Sequence, residues 1–490
     1  MRAIQNLLRK KELSFIPKLL KRLPRAELFL VGGIIRDTAV KRPSKDFDFV
    51  IRNVGAAKLQ SELKKLGWVD LVGKRFGVFK FIPQGLTLPE PIDLALPRTE
   101  HALLTGGYRD FDVQSDPKLP IEQDLMRRDF TINAMAYDIR EQKLIDRFGG
   151  MHDIKKKLIR TVGKPNERFT EDLSRMLRAL RFASQLHFSI ETQTWRSLKK
   201  LSARINKLIA GEYVVPRETV ARELTKALTA DPVYAIGLLT KSGITEKLMP
   251  ELMKMKGCRQ PRNFHSEGDV WKHTMICMQN LYSNPFKKKF GPEPPSPELI
   301  YAALLHDIGK PYTIERADRL RFNNHDAVGA ELSKKILSRL RISSSGVDTD
   351  RIVWLIRMHL ITTHSKKSPM KKTTLEKYFF NDQLPGGDLL RLLYADVQAT
   401  IPPSGCPDFT EHHALEQQIK KLSPEARHRR SLPPVIMDGN EIMQQLRMEP
   451  GPAVGQLKTL LREEQLRGGL KTKKQAMEFL KKHANIRRYA

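Results

Sequence analysis

Apolar positions along this chain follow two rhythms, and the change between them falls near residue 150. From about residue 25 to 150, short β-prone runs (ELFLVGG, FDFVI, RFGVFKFI, PIDLAL and KLIDRF) alternate with helical stretches such as Gly55 to Leu66. That mixture predicts one sheet with flanking helices. In RFGVFKFI, Arg75 and Lys80 sit in an apolar strand, with Gly77 inside it where a close backbone approach fits. Glu100 to Glu122 is polar, rich in Gly, Pro and Asp and without periodicity, so it reads as a loop. Beyond Gly149-Gly150, a pair able to act as a hinge, helical spacing dominates. Leu173, Leu177, Leu180 and Ala183 recur at helical intervals behind Thr170, a good N-cap, which predicts a helix over 170–188. The fold class is α+β. A head with a mixed β-sheet covers 1–150, an all-α neck 151–245, a helical domain 246–400 and a helical tail 401–490. In the tail, Pro450-Gly451-Pro452 separates two helices. The basic, amphipathic N-terminus runs into the first strand and reads as a helix of the head.

Chemistry concentrates first between Leu28 and Val50 (LFLVGGIIRDTAVKRPSKDFDFV). An apolar strand stops at Gly32-Gly33 and Ile34 to Val40 reads as helical, so the turn presents free backbone N–H groups where phosphate oxygens can be held. Asp46 and Asp48 alternate with Phe47 and Phe49, which on a strand puts both carboxylates on one face. Two such neighbours repel, and a hard cation such as Mg²⁺, shared with substrate phosphates, relieves them. Asp93, in PIDLAL, is a third strand-borne acid. Arg127, Arg128 and Asp129 open RRDFTINAMA, and guanidinium forks match phosphate oxygens. In EDLSRMLRALRFA, Asp172 and Arg175 are three apart and share a helical face. An aspartate accepting from an amino group, beside an arginine donating to a ring nitrogen, takes cytosine or adenine and refuses uracil or guanine. Arg178 and Arg181 continue that face with basic charge.

These strings resemble the motifs of the tRNA nucleotidyltransferase and poly(A) polymerase family, in its bacterial-type (class II) branch. The resemblance implies a nucleotidyltransferase head in which Gly32, Gly33, Arg36, Arg127, Arg128, Asp129, Asn133, Asp172, Arg175 and Arg178 bind nucleotide. It implies that Asp46, Asp48 and Asp93 are catalytic and that Asp46 and Asp48 hold Mg²⁺, as two ions, for nucleotidyl transfer. Glu171-Asp172-x-x-Arg175 matches the fourth motif, whose acid and arginine select CTP and ATP. PRETVARELTKAL resembles the neck motif with one departure, Glu218-Thr219 in place of a Glu-Arg pair.

A second constellation lies between residues 262 and 400. His273, the doublet His306-Asp307, His325, His359 and Asp396 end or punctuate apolar helical runs. Mixed imidazole and carboxylate donors suit a divalent transition metal. The set resembles the HD metal-dependent phosphohydrolases, whose motif is H…HD…D, in the fuller version with two extra histidines. That resemblance implies a metal-bound hydroxide attacking a phosphate ester, with Lys310 placed to hold phosphate.

Charge narrows the partner. A formal excess of +31 points to a polyanion. No apolar run approaches the roughly 18–20 residues of a membrane span, so nucleic acid is expected and a membrane is not. Cys258, Cys277 and Cys406 are widely spaced without a CxxC, which fits free thiols in a reducing, cytoplasmic setting. The basic EARHRRSLPP and the helices after it resemble the tail of HD-bearing tRNA nucleotidyltransferases and imply tRNA contact. The expected activity is template-independent addition or repair of the 3′-terminal CCA of tRNA from CTP and ATP. Poly(A) polymerase is the alternative within the family. An HD phosphohydrolase with a non-catalytic RNA-binding head, or a non-catalytic RNA-binding protein, are alternatives of another class.

Overall fold

A computed structural model describes residues 2–43, 46–72, 77–102, 106–107, 111–316, 320–362, 370–381, 383–427, 434–446, 448–466 and 469–484. The chain packs into two units, Met1–Lys254 with Ile336–Val347, and Met255–Lys335 with Asp348–Ala490.

Nine strands organise the front of the first unit: β1 (Glu27–Val31), β2 (Asp48–Arg52), β3 (Gly67–Val72), β4 (Val78–Pro83), β5 (Ile92–Ala95), β6 (Arg98–Ala102), β7 (Phe111–Ser115), β8 (Ala136–Asp138) and β9 (Lys143–Ile145). Seven form one sheet in the order β3-β4-β5-β2-β1-β8-β9. The β2–β5 pair is parallel and the other neighbours are antiparallel, so the sheet is mixed. Alternation decides its faces. Phe49, Leu94 and Phe79 stand level on β2, β5 and β4 and are fully buried. Phe15, from the N-terminal helix Phe15–Arg22, lies 4.8 Å from the Phe81 ring and 6.4 Å from Phe49. On the other face Phe29, Val31 and Val50 join Ile121, Leu125, Ala134 and Val162 in an apolar cluster.

Four expectations change. The stretch read as a loop contains the β6–β7 antiparallel hairpin; RTEHA and FDVQS hold too few apolar residues for alternation to show. Gly77 precedes β4, with φ +57°, and is not inside the strand; Arg75 lies outside the described residues, as do residues 428–433 of the basic patch. The N-terminal segment is two short helices, Arg2–Leu8 and Phe15–Arg22, joined through a 3-10 turn. The region after 150 is helical but carries three minimal ladders: Leu158–Ile159 with Ser189–Ile190, Leu208–Ile209 with Glu212–Tyr213, and Ile314–Arg316 with Leu320–Phe322. At Gly149-Gly150, Asp146 accepts the Gly150 and Met151 N–H groups (2.6 and 2.8 Å), so the pair opens a capped helix, Gly150–Lys156.

In the second unit the helix Pro297–Leu305 is buried from Leu299 to Leu305. A helix apolar all round belongs at the centre. Ser296, Asp269 and Asp348 cap it and the helices Val270–Asn280 and Thr349–Met358 with side-chain oxygens. The tail helices Gly439–Leu446, Pro452–Leu466 and Lys473–Ala484 close over a small core of their own, including Ile442, Leu461 and Leu480.

Candidate functional site

Register assembles the acidic cluster in the head. Asp48 on β2 pairs with Asp93 on β5, and Asp93 pairs with Lys80 on β4, so the three side chains share a row and a face. Lys80 Nζ lies 2.6 Å from Asp93 Oδ1. Asp46 is exposed and sits just before β2, not on it. Phe47, between the two acids, is buried, so the alternation read from DFDF holds one residue past the strand end. Val50, two residues on from Asp48, belongs to the apolar cluster, and Asp48 stands at that cluster's margin. Burial there pushes the Asp48 carboxyl up to about 6; Arg128 works against the rise, while Asp93 and Asp46 add to it. A carboxylate held reluctantly charged beside two others is a fitting place for a divalent cation.

The glycine turn touches the same cluster. Gly32 has φ +80° and ψ −146°, and a Cβ there would lie 3.1 Å from Arg128 Nη1 and 3.3 Å from Asp48 Oδ2. Only glycine lets the turn, the arginine and the carboxylate approach this closely. Arg127 and Arg128 are both anchored by Asp124, at 2.8 and 3.4 Å. Burial opposes ionisation of Asp124, yet the two guanidinium groups hold its carboxyl below the usual range. Asp124 was not singled out from the sequence, although its spacing of three and four residues before the arginines on the helix Ile121–Met126 signals the contact.

A polar chain, buried in the head, links Arg36, Asn133 and Asp129 to the half-buried Arg178 on the helix Ser174–Leu186. Arg36 Nη1 donates to Asn133 Oδ1 (2.6 Å), Asn133 Nδ2 donates to Asp129 Oδ1 (3.2 Å), and Asp129 Oδ2 pairs with Arg178 (2.6 Å). Burial works against the Asp129 carboxylate, but Arg178 and Asn133 hold its pKa down at about 2. Arg36, Arg178 and Arg181 also lie over the Phe182 ring, 4.9, 5.5 and 4.2 Å from its centroid. Arg181 corrects the expected basic face, because it is half-buried and paired with the buried Glu223 at 2.8 Å.

Asp172 also departs from expectation. Thr170 is not an N-cap; it lies in the last turn of the helix Pro165–Glu171, and the next helix is Ser174–Leu186. Asp172 is in the break, extended at φ −147° and ψ 104°. Its Oδ1 accepts the Ser174 N–H at 2.8 Å. A short acidic side chain competes with the helical ladder in this way, which interrupts a pattern that looks continuous in sequence. Arg175 remains close, with Nε 3.8 Å from Asp172 Oδ2, and its Nη1 is 2.8 Å from Glu171. Both Asp172 and Arg175 are buried, and burial raises the Asp172 carboxyl.

In the second unit, five separate segments bring the histidine set together. His306 Nδ1, His325 Nδ1 and His359 Nδ1 face the main-chain oxygens of Ala303 (2.9 Å), Phe322 (2.7 Å) and Ile356 (2.6 Å). A carbonyl can only accept, so each Nδ1 carries the proton and each Nε2 turns inward. His273 Nδ1 faces the Glu267 carboxylate at 2.9 Å, with the same result. His273 Nε2 is 2.8 Å from Asp396, and His306 Nε2 is 3.4 Å from Asp307 and 3.6 Å from Asp396. Asp307 Oδ1 lies 3.4 Å from His325 and 3.8 Å from His359. Lys310 Nζ reaches Asp307 Oδ2 at 2.6 Å and Gln260 at 2.8 Å.

These donors fit a metal. His306 Nε2 is buried and finds no hydrogen-bond partner of good geometry among the described residues. His325 Nε2 and His359 Nε2 face each other at 3.2 Å, and with both rings protonated at Nδ1 their two lone pairs converge where a cation fits. Burial, with His325 and His306 alongside, pushes His359 down to about 4, which keeps its Nε2 lone pair free for a cation. The turn after the doublet packs tightly against the start of the helix His325–Arg339. A Cβ on Gly309 would collide with the His325 carbonyl oxygen and crowd Gly329 N. Glu267 was missed in the sequence because nothing in its spacing from His273 implies a contact.

Among the described residues no helix is long and apolar enough to cross a membrane. Residues 28–160 match the family model described as the poly A polymerase head domain, and residues 277–383 match the HD domain. An A-adding tRNA nucleotidyltransferase of Deinococcus radiodurans is 32% identical over 74% of this chain and 80% of its own. A multifunctional CCA protein of Stenotrophomonas maltophilia is 36% identical over 64% of this chain and 72% of its own. The solved CCA-adding enzyme of Bacillus stearothermophilus in complex with CTP superposes over 98% of this chain and 99% of its own, with TM-score 0.60 and 20% identity, a likeness of fold. With the head cluster, the histidine set and these relatives taken together, the chain belongs to the tRNA nucleotidyltransferase and poly(A) polymerase family and carries an HD domain later in its sequence.

Proposed function

We propose that this protein builds or repairs the 3′-terminal CCA of tRNA from CTP and ATP, without a nucleic-acid template, releasing pyrophosphate. The observation that carries the reading is the Asp48–Asp93 cross-strand pair beside Arg128 and the Gly32 turn. Asp46 and Asp48 hold Mg²⁺ in this reading, and Asp93 is the third carboxylate of the catalytic set. Bound Mg²⁺ supplies Lewis-acid activation of the attacking 3′-hydroxyl and neutralises charge on the leaving pyrophosphate. The Gly32-Gly33 turn, Arg127 and Arg128 cradle the triphosphate, and Asn133 and Asp129 keep Arg36 and Arg178 in place beside it. Asp172 accepts from the amino group of cytosine or adenine while Arg175 donates to the ring nitrogen. The domains proposed are a catalytic head over 1–150, a neck over 151–245, an HD domain over 246–400 and a tRNA-contacting tail over 401–490.

The test is incubation with tRNA lacking its CCA, with CTP, ATP and Mg²⁺. Addition of C, C and A followed by a stop supports the reading. An open-ended A tail supports a poly(A) polymerase. A single A added only to tRNA ending in CC supports an A-adding enzyme, the activity in the name of the Deinococcus relative. UTP and GTP should be refused, and Asp172→Ala should erode that refusal about 5- to 150-fold, the equivalent of 1–3 kcal/mol per base contact. Full discrimination in Asp172→Ala would remove the base-reading role. Asp46→Ala and Asp48→Ala should abolish addition; if both retain it, the head is not the catalyst.

For the second cluster we propose a divalent transition-metal centre held by His273, His306, Asp307, His325, His359 and Asp396. When bound, the metal supplies an activated water for hydrolysis of a phosphate ester. Lys310, already close to Asp307, is placed to hold that phosphate. The substrates tested first are 2′,3′-cyclic and terminal phosphates on RNA ends. Chelator-sensitive hydrolysis lost in His306→Ala supports this, and inactivity with every divalent metal removes it.

A further inference from the structure

Three of the four clustered histidines turn Nδ1 to a main-chain carbonyl, but His273 turns it to a carboxylate. The Glu267 side chain is 1% exposed and accepts hydrogen bonds with both of its oxygens. Oε1 takes His273 Nδ1 at 2.9 Å and His265 Nδ1 at 2.7 Å, and Oε2 takes the Ile401 N–H at 3.1 Å. Ser266, its neighbour, donates its hydroxyl to the Ile401 oxygen at 2.7 Å. The loop bearing Glu267 is thereby tied to the chain just beyond Asp396, alongside the direct packing of the helices that carry His273 and Asp396.

A carboxylate behind an imidazole differs from a carbonyl in one respect that matters. It brings a full negative charge, draws the Nδ1 proton toward itself and raises electron density at Nε2, which makes the ring a stronger donor. The inward atoms divide into two sets, His273, His306 and Asp396, and Asp307, His325 and His359. Asp307 turns Oδ2 toward His306 and Oδ1 toward His325, each at 3.4 Å. The first set therefore has Asp396 within it and Glu267 behind it. The second has carbonyls behind both of its rings.

Resting on the reading of this cluster as a metal centre, we infer that Glu267 is a positioning residue that locks His273 as the Nδ1–H tautomer and makes the His273–His306–Asp396 set the tighter of two unequal metal positions. His265, Glu267 and His273 could form a ligand set of their own only by giving up the hydrogen bonds that now join them.

The experiment strips the full chain with chelator and titrates it with Co²⁺, followed by calorimetry and by the d–d absorption of the bound ion. Two steps of different affinity are expected. Glu267→Gln should weaken the tighter step about 10- to 100-fold and leave the weaker step within about threefold. His265→Ala, which leaves the Glu267–His273 bond in place, should leave both steps within about threefold of the parent. In the unsubstituted protein loaded with Zn²⁺, long-range ¹H–¹⁵N spectra should show His273 protonated at Nδ1 and bare at Nε2, a measurement that does not depend on a variant folding. Equal loss at both steps, no loss at either, or an Nε2–H tautomer at His273 overturns the inference while leaving the metal centre standing. A chain that binds no Co²⁺ overturns both.

Discussion

Gly32→Ala separates the two demands placed on the turn between β1 and the helix Gly33–Ala39. The first is conformational: φ +80° with ψ −146° is a region almost reserved for glycine, and holding a Cβ-bearing residue there costs about 1–3 kcal/mol. In a unit of this size a loss of 1 kcal/mol lowers the melting midpoint by about 2–4 °C, so a drop of roughly 2–12 °C is expected. The second is chemical. The new methyl would sit 3.1 Å from Arg128 Nη1 and 3.3 Å from Asp48 Oδ2, and both are side-chain ends that move before the backbone does. Misplacing reacting groups by fractions of an ångström costs about 10- to 100-fold in kcat/KM, or about 1.4–2.8 kcal/mol of barrier. Gly33→Ala is the comparison for stability, because its φ is not positive and its Cβ would meet only the Arg36 guanidinium, 3.2 Å away. It should melt within about 2 °C of the parent, since alanine is also the better helix former. Thermal melting and nucleotide incorporation into tRNA lacking its CCA read the two effects separately. Parent-like melting and incorporation in Gly32→Ala, or equal destabilisation in Gly33→Ala, would refute the reasoning.

Asp129→Asn keeps the shape and removes the charge opposite Arg178. The fall from 3.8 to about 2 in its pKa corresponds to a stability contribution on the order of 2 kcal/mol. Because the folded value is the lower one, that contribution is complete above pH 4 and fades as pH falls toward 2. Melting curves of parent and variant should therefore differ fully at pH 7 and converge in acid; a constant gap would show that the charge is not its source. Gly309→Ala should cost about 1–3 kcal/mol by overpacking and weaken Co²⁺ binding, since the backbone of His325 cannot yield without moving its ring. Unchanged melting and unchanged Co²⁺ titration would show that the close approach of Gly309 to the His325 backbone does not set the site. His306→Ala should lose metal at the HD cluster yet add CCA to tRNA at the parental rate, and a parallel loss of addition would show that the two chemistries are coupled.

What the amino-acid sequence determined by itself was local. The two-residue period of DFDF, the glycine stop after ELFLV, the arginine doublet and the histidine set are each readable because a strand, a turn or a helix places neighbours by its own geometry. The same local reading overran at Asp172, where apolar spacing continued through a helix break that the carboxylate makes by taking the Ser174 N–H. Charge along the helix also misled at Arg181, since the buried Glu223 pairs with it. Tertiary structure decided the pairings. The level row of Asp48, Asp93 and Lys80 depends on strand register. Glu267 and Ser266 reach Ile401, more than a hundred residues on, only through the folded chain. Residue spacing carries no record of such contacts, because bringing distant segments together is the work of packing over the whole chain and not of any short stretch of it.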